Sequence, residues 1–166
     1  MKTIYSEKLP RILKNKKKLE KELNVKITNR GKEIYIKGKA EDEYIADQVI
    51  TALNFGFLFQ AAIAIKKQEL MFEIINIKDY AKTNNFKRIR ARIIGKSGKT
   101  LKTLCELTDC FIELNENQLG IIGKPEHMKI TQEAIINLIK GSKQTNVYKF
   151  LEKHQLEPIL DLGLKK

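Results

Sequence analysis

A chain of 166 residues, 42% of them hydrophobic, can bury one ordinary core or two small ones, which argues against disorder along its whole length. The formal net charge of +12 makes a polyanion the natural partner, nucleic acid first and an acidic membrane surface second, because each phosphate neutralised by Lys or Arg releases counterions. The longest apolar runs, 55–59 and 61–65, are too short to span a bilayer, and the first seven residues lack the apolar segment of a secretory signal, so the chain is expected to stay in the compartment where it is made, the cytoplasm.

From the N-terminus, residues 3–6 read as a strand, 8–23 as helical material, and 25–28 and 33–37 as strands joined across Asn29-Arg30-Gly31-Lys32. Residues 41–54 read as a helix, and 57–67 as a connecting helix with Leu58, Ala61, Ala62 and Ile65 on one packing face. A strand is expected at 71–77, a polar loop with the Thr83-Asn84-Asn85 turn cluster at 79–87, and a short helix at 88–94. Gly95 to Gly98 break that helix, and 99–108 resume helical spacing through Leu101, Leu104, Cys105 and Leu107. A hairpin of 110–114 and 118–122 turns at Asn115-Glu116-Asn117, and Ile130, Ala134, Ile135, Leu138 and Ile139 mark the buried stripe of a helix ending near Gly141.

The chain repeats itself. Ile36-Lys37-Gly38-Lys39-Ala40-Glu41 recurs as Ile121-Ile122-Gly123-Lys124-Pro125-Glu126, and the offset of 85 continues through Ile50 and Ile135, Leu53 and Leu138, to Gly56 and Gly141. One constant offset over a strand, turn and helix points to two copies of one unit. Both follow the order strand, helix, helix, strand, strand, helix, an α+β fold.

The chemistry concentrates in the second copy. Between Ala81 and Cys105 there is no acidic residue, while Lys82, Lys87, Arg88, Arg90, Arg92, Lys96, Lys99 and Lys102 all fall in that window. Gly95 and Gly98 flank Lys96 and Ser97, so the backbone can approach a phosphate chain closely, and the following helix adds its dipole and free amides. Such a loop clamps backbone without reading bases. Base contacts fall to an adjacent groove, with Ile93, Ile94 and Ile112 as candidates for its floor. In the first copy the corresponding stretch, Pro10-Arg11-Ile12-Leu13-Lys14-Asn15, has no glycine, which leaves Lys14, Lys16, Lys17 and Lys18 at most an auxiliary role.

An enzyme reading fails on spacing. Gly98-Lys99-Thr100 could end a P-loop, but that motif needs a glycine where Ile93 stands, and the frame ending at Gly95-Lys96-Ser97 needs one at Arg90. Cys105 and Cys110 have no second pair or clustered His to make a zinc or redox site, and His127 and His154 are isolated, so no catalytic residue, metal ligand or cofactor is expected.

With Arg90 to Thr100, the helix from Leu104 to Thr108, Ala134 to Gly141 with Val147-Tyr148, Gly56-Phe57 and Glu69 to Glu73 in view, the sequence resembles the KH proteins of small-ribosomal-subunit assembly known as partner of Nob, and more distantly the Krr proteins. Gln132, where relatives often carry Arg, and the absence of the charged N-terminal extension of eukaryotic members are departures; the size is similar to that of archaeal members or of one from a reduced eukaryote. The resemblance implies two tandem type I KH-like domains, the first without the glycine loop: residues 1–67 a degenerate domain plus connecting helix, 68–150 the RNA-binding domain, 151–166 a C-terminal tail. It further implies a non-catalytic protein, monomeric apart from its assembly partners, that binds single-stranded small-subunit (16S/18S-type) rRNA near its 3′ end in the pre-ribosomal particle and assists cleavage by a Nob-type endonuclease. A general KH regulator of mRNA or an accessory subunit of RNA decay would use the same clamp.

Overall fold

The computed structural model describes residues 1 to 160, with side chains as far as residue 154. The chain forms two compact units, Met1–Phe72 and Glu73 onward. Among the described residues no helix is long and apolar enough to cross a membrane.

The first unit contains β1 (Lys2–Tyr5), α1 (Leu9–Lys14), α2 (Lys16–Leu23), β2 (Lys26–Arg30), β3 (Glu33–Lys37), α3 (Ala40–Phe55) and α4 (Phe59–Lys67). Its antiparallel sheet has the order β1-β3-β2, with Ile36 facing Lys2 on one side and Ile27 on the other. Ile34 and Ile36 alternate inward along the central strand and meet Ala46, Val49, Ile50 and Leu53 of α3, all buried at the three- and four-residue spacing of one helical stripe. On α4, Ala61, Ala62 and Ile65 are buried as the spacing predicts. Leu58 is not: it is the N-cap of α4 and 74% exposed, because a residue with extended backbone ahead of the first turn does not share the helix's faces.

The second unit is built from β4 (Met71–Asn76), which begins at the boundary between the units, α5 (Ile77–Tyr80), α6 (Phe86–Ile94), a short 3-10 turn (Lys96–Gly98), α7 (Lys99–Thr108), β5 (Phe111–Asn115), β6 (Gln118–Gly123), α8 (Pro125–Lys140) and α9 (Gln144–Leu160). The sheet order is β4-β6-β5, the same as in the first unit. Two elements differ from the sequence expectation. The polar loop begins with a helical turn, α5, because Asn76 caps it by accepting from Lys78 N and Ile77 anchors it in the core. The expected tail begins as helix: α9 runs through 151–160, held by Val147 and Leu151, one turn apart and both buried against the core. Residues 161–166 of that tail lie outside the described residues.

The repeat is deeper than the first pattern suggests. Leu19 and Leu104, Asn24 and Asp109, and Ile27 and Ile112 also stand 85 apart; the Leu and Ile pairs are buried, and Asn24 and Asp109 are the left-handed C-caps of α2 and α7. Before the loop the separation is 81: Arg11 and Arg92, Ile12 and Ile93, Leu13 and Ile94, with the isoleucines fully buried and Leu13 and Ile94 37% and 38% exposed. The offset changes by four between Leu13 and Lys14, which is the length of Gly95-Lys96-Ser97-Gly98. The first unit therefore has the architecture of the second with the glycine loop excised, and α1 passes to α2 through the single residue Asn15.

Candidate nucleic-acid interface

The glycine loop joins two helices. Gly95, Ser97 and Gly98 all have positive φ, of 77°, 56° and 76°. Gly95, with ψ of 176°, occupies a region closed to residues with a Cβ. A Cβ there would collide with Thr100 Oγ1 and lie 2.6 Å from Thr100 Cβ, whereas a Cβ on Gly98 would meet nothing. Thr100 itself is buried. Gly95 thus lets the loop fold back on α7, and Gly98 supplies the left-handed turn into it. Lys96 and Ser97 stand exposed at the tip, with Lys99 and Lys102 exposed on the following helix. That arrangement presents backbone and unpaired ammonium groups to an extended anionic chain.

The helix before the loop sorts its basic residues by face. At about 100° per residue, Arg88 and Arg92 fall on one side of α6 and Arg90 and Ile94 on roughly the opposite side, with Ile89 and Ile93 inward. Arg90 donates to Asn117 Oδ1 in the β5–β6 turn, and Asn117 O accepts from Ile77 N at 2.8 Å, so the hairpin turn is tied to α6 and to the end of β4. Ile94 is the exposed apolar residue beside the loop, at 38%. Ile93 and Ile112, expected on a groove floor, are 0% and 5% exposed and belong to the core, because Ile93 follows Ile89 on the inward stripe and Ile112 points inward from β5. Their side chains support the surface rather than form it.

Arg92 has a structural engagement that its charge does not reveal. Its guanidinium donates to Leu138 O at 2.9 Å and to Ser142 O, closing the C-terminal carbonyls of α8. Arg11 does the same in the first unit, donating to Phe57 O at 2.7 Å and Gly56 O at 3.3 Å at the end of α3. Gln144, the first residue of α9, donates from Nε2 to Arg92 O at 3.0 Å and to Thr100 Oγ1 at 3.3 Å, so the residue against which Gly95 packs is held from behind. Nothing in the sequence marks Gln144, since the contact depends on where α9 begins.

In the first unit Lys14, Lys17 and Lys18 are exposed and Lys16 is partly so, with Lys18 Nζ 5.8 Å from the centroid of Phe59.

A helix precedes the glycine loop here, where a P-loop requires a strand. Residues 71–156, just over half of the chain, match the model of the eukaryotic type KH-domain (KH-domain type I), in its version for the second KH domain of PNO1. The chain belongs to the PNO1/Dim2 family of KH proteins. A KH domain-containing protein of Methanocaldococcus jannaschii is 33% identical over 147 residues, covering 84% of this chain and 65% of that protein. The RNA-binding protein PNO1 of Oryzias latipes is 32% identical over 135 residues, 76% of this chain and 56% of that protein. The chain thus spans between about half and two thirds of the length of these two relatives. Among solved structures, Dim2p of Pyrococcus horikoshii OT3 superposes with a TM-score of 0.83 at 26% identity, covering 92% of this chain and 98% of that one. A chain of the a/eIF2alpha-aDim2p-rRNA complex from the same organism superposes with a TM-score of 0.85 at 25% identity, covering 94% of each.

Proposed function

We propose that this protein is a non-catalytic RNA-binding factor of small-subunit ribosome assembly, which grips single-stranded rRNA near the 3′ end through the Gly95 to Gly98 loop and assists 3′-end maturation by a Nob-type endonuclease in the pre-ribosomal particle. The observation that carries the reading is the loop itself: three positive φ values in four residues, exposed Lys96 and Ser97 at its tip, and Lys99 and Lys102 exposed on the helix that follows. The complex of the Pyrococcus relative with rRNA supports the choice of RNA, and the pre-rRNA-processing proteins named PNO1 support the choice of process.

The contacts expected from the sequence divide accordingly. Gly95, Lys96, Ser97, Gly98, Lys99 and Lys102 hold phosphate, Ile94 and Arg90 face the bases, Ile93 and Ile112 hold the surface from beneath, and Arg92 positions the loop. Arg88, also expected among the RNA contacts, stands exposed on the side of α6 away from Arg90 and Ile94, outside the clamp. No acid–base pair or metal is assigned a step, and the site of action is where ribosomal subunits are assembled, the cytoplasm or, in a eukaryote, the nucleolus as well. Crosslinking the protein to total cellular RNA tests the assignment: one dominant region at the 3′ end of small-subunit rRNA is expected. A spread of crosslinks over mRNA would contradict it and favour a general KH regulator.

A further inference from the structure

A second basic surface lies on the other side of α6. Arg88 and Arg92 project there together with Lys82 from the preceding loop and Lys140 from the end of α8, and with these residues enclose a recess of about 250 Å³. No acidic side chain lines it, and Lys82, Arg88 and Lys140 are exposed and have no ion-pair partner among the described residues. Thr83 and Asn85 add polar groups to the wall, while Asn85 Oδ1 caps α6 by accepting from Arg88 N at 3.2 Å. Arg92 directs guanidinium donors to the carbonyls of Leu138 and Ser142, so its charge adds to the field while the free ligand groups of the recess come from the other three.

Three unpaired cations converging in a concave surface repel one another, and concavity focuses their field on whatever enters. The chemistry that relieves this is a phosphate group. On the reading proposed above, an RNA strand held at the glycine loop would run along the Arg90 and Ile94 face of α6, and Lys87 and Arg88, exposed in the first turn, lead from that face around the start of the helix towards Lys82. We infer that the recess of Lys82, Arg88 and Lys140 is a second phosphate site, which takes the backbone of the same RNA beyond the nucleotides clamped at Gly95 to Gly98. The inference rests on the RNA-binding reading of that loop.

RNA length separates the two sites. A single-stranded RNA of about four nucleotides fills one KH clamp, whereas one of about twelve can reach the recess as well. The variant Lys82→Gln/Arg88→Gln/Lys140→Gln changes exposed side chains only, and Lys140→Glu alone leaves α6 untouched. Both should bind the short RNA as the natural protein does and the long one at least fivefold more weakly. For the triple variant, the log-log salt slope on the long RNA should also become shallower by about 1.4 to 2.1, at about 0.7 per phosphate for two to three phosphates. Unchanged affinity and slope on the long RNA would overturn the second site. Equal loss on both lengths would overturn it too, since the recess would then belong to the clamp. Failure of the clamp reading looks different: Lys96→Asp/Ser97→Asp would leave binding of the short RNA intact.

Discussion

Gly95 and Gly98 look interchangeable in a four-residue motif, yet they carry different constraints. Alanine at Gly95 must enter a backbone region nearly confined to glycine and collide with Thr100, while alanine at Gly98 faces only the cost of a left-handed conformation, about 1 to 2 kcal/mol. Gly95→Ala should therefore lower the melting temperature more than Gly98→Ala does, and by more than about 2 kcal/mol of stability; equal effects in a thermal melt would show that the packing on Thr100 is misassigned. The cysteines make a pH-dependent test. Burial pushes both the Cys105 and Cys110 thiols up from their ordinary value of 9.0. The unfolded chain then loses those protons first, so the thiol contribution is intact below that pH and lost as pH rises above it. The urea midpoint should fall above about pH 9, and less steeply in Cys105→Ala. At this scale the sequence shows which residues are basic or glycine but not which way they point. Arg88, Arg90 and Arg92 look alike in the chain, yet Arg90 reaches Asn117, Arg92 reaches the carbonyls of Leu138 and Ser142, and Arg88 stands exposed.

At the scale of elements, α7 and β3 have the bounds expected from their apolar periodicity, and α3 and α8 differ from expectation only at their ends. Those segments are long or strongly patterned. The single turn of α5 and the whole of α9 carry only short signals: one buried Ile77 in a polar stretch, and Val147 and Leu151, with Tyr148 and Phe150 half-buried beside them, among polar residues. The arginine that closes α3 in the first unit and α8 in the second is conspicuous only once both folds are known. Arg92→Ala would leave the carbonyls of Leu138 and Ser142 without that donor at a cost of about 1 to 3 kcal/mol, and Arg11→Ala should cost about as much in the first unit. Urea unfolding of the two variants checks this; a neutral Arg92→Ala would return that residue to the list of RNA contacts. The change of offset from 85 to 81 gives a more demanding test. Since the first unit makes the same helix pair without the glycine loop, deletion of residues 95–98 should leave a folded second unit that has lost its affinity for an RNA of about four nucleotides, the length one clamp holds, as circular dichroism and a binding titration would report.

For the whole molecule, two units with one topology and one sheet order carry unequal surfaces. The repeat was legible because buried positions recur at one spacing; the division of labour was legible because glycine is present in one copy and absent from the other. The proposed clamp implies binding that is electrostatic and single-strand selective. With about four phosphates neutralised, the log-log salt slope should lie near −3, and blunt duplex RNA should bind more weakly than a single strand. Substituting Lys14, Lys16 and Lys17 by Ala should reduce affinity only modestly, since that unit cannot bring its backbone against a phosphate.

The most direct test of the clamp places two carboxylates where the RNA backbone should lie. Lys96→Asp/Ser97→Asp keeps both glycines, and aspartate is among the side chains that tolerate the left-handed conformation of Ser97, so the fold and its melting temperature should hold. The attraction at the loop becomes repulsion, with a loss of roughly 2 kcal/mol or more on the scale of charge-assisted hydrogen bonds. Affinity for a fragment from the 3′ end of small-subunit rRNA should fall at least tenfold, as about 1.4 kcal/mol corresponds to each factor of ten. Unchanged affinity in a folded double variant would contradict the Gly95 to Gly98 loop as the principal RNA site.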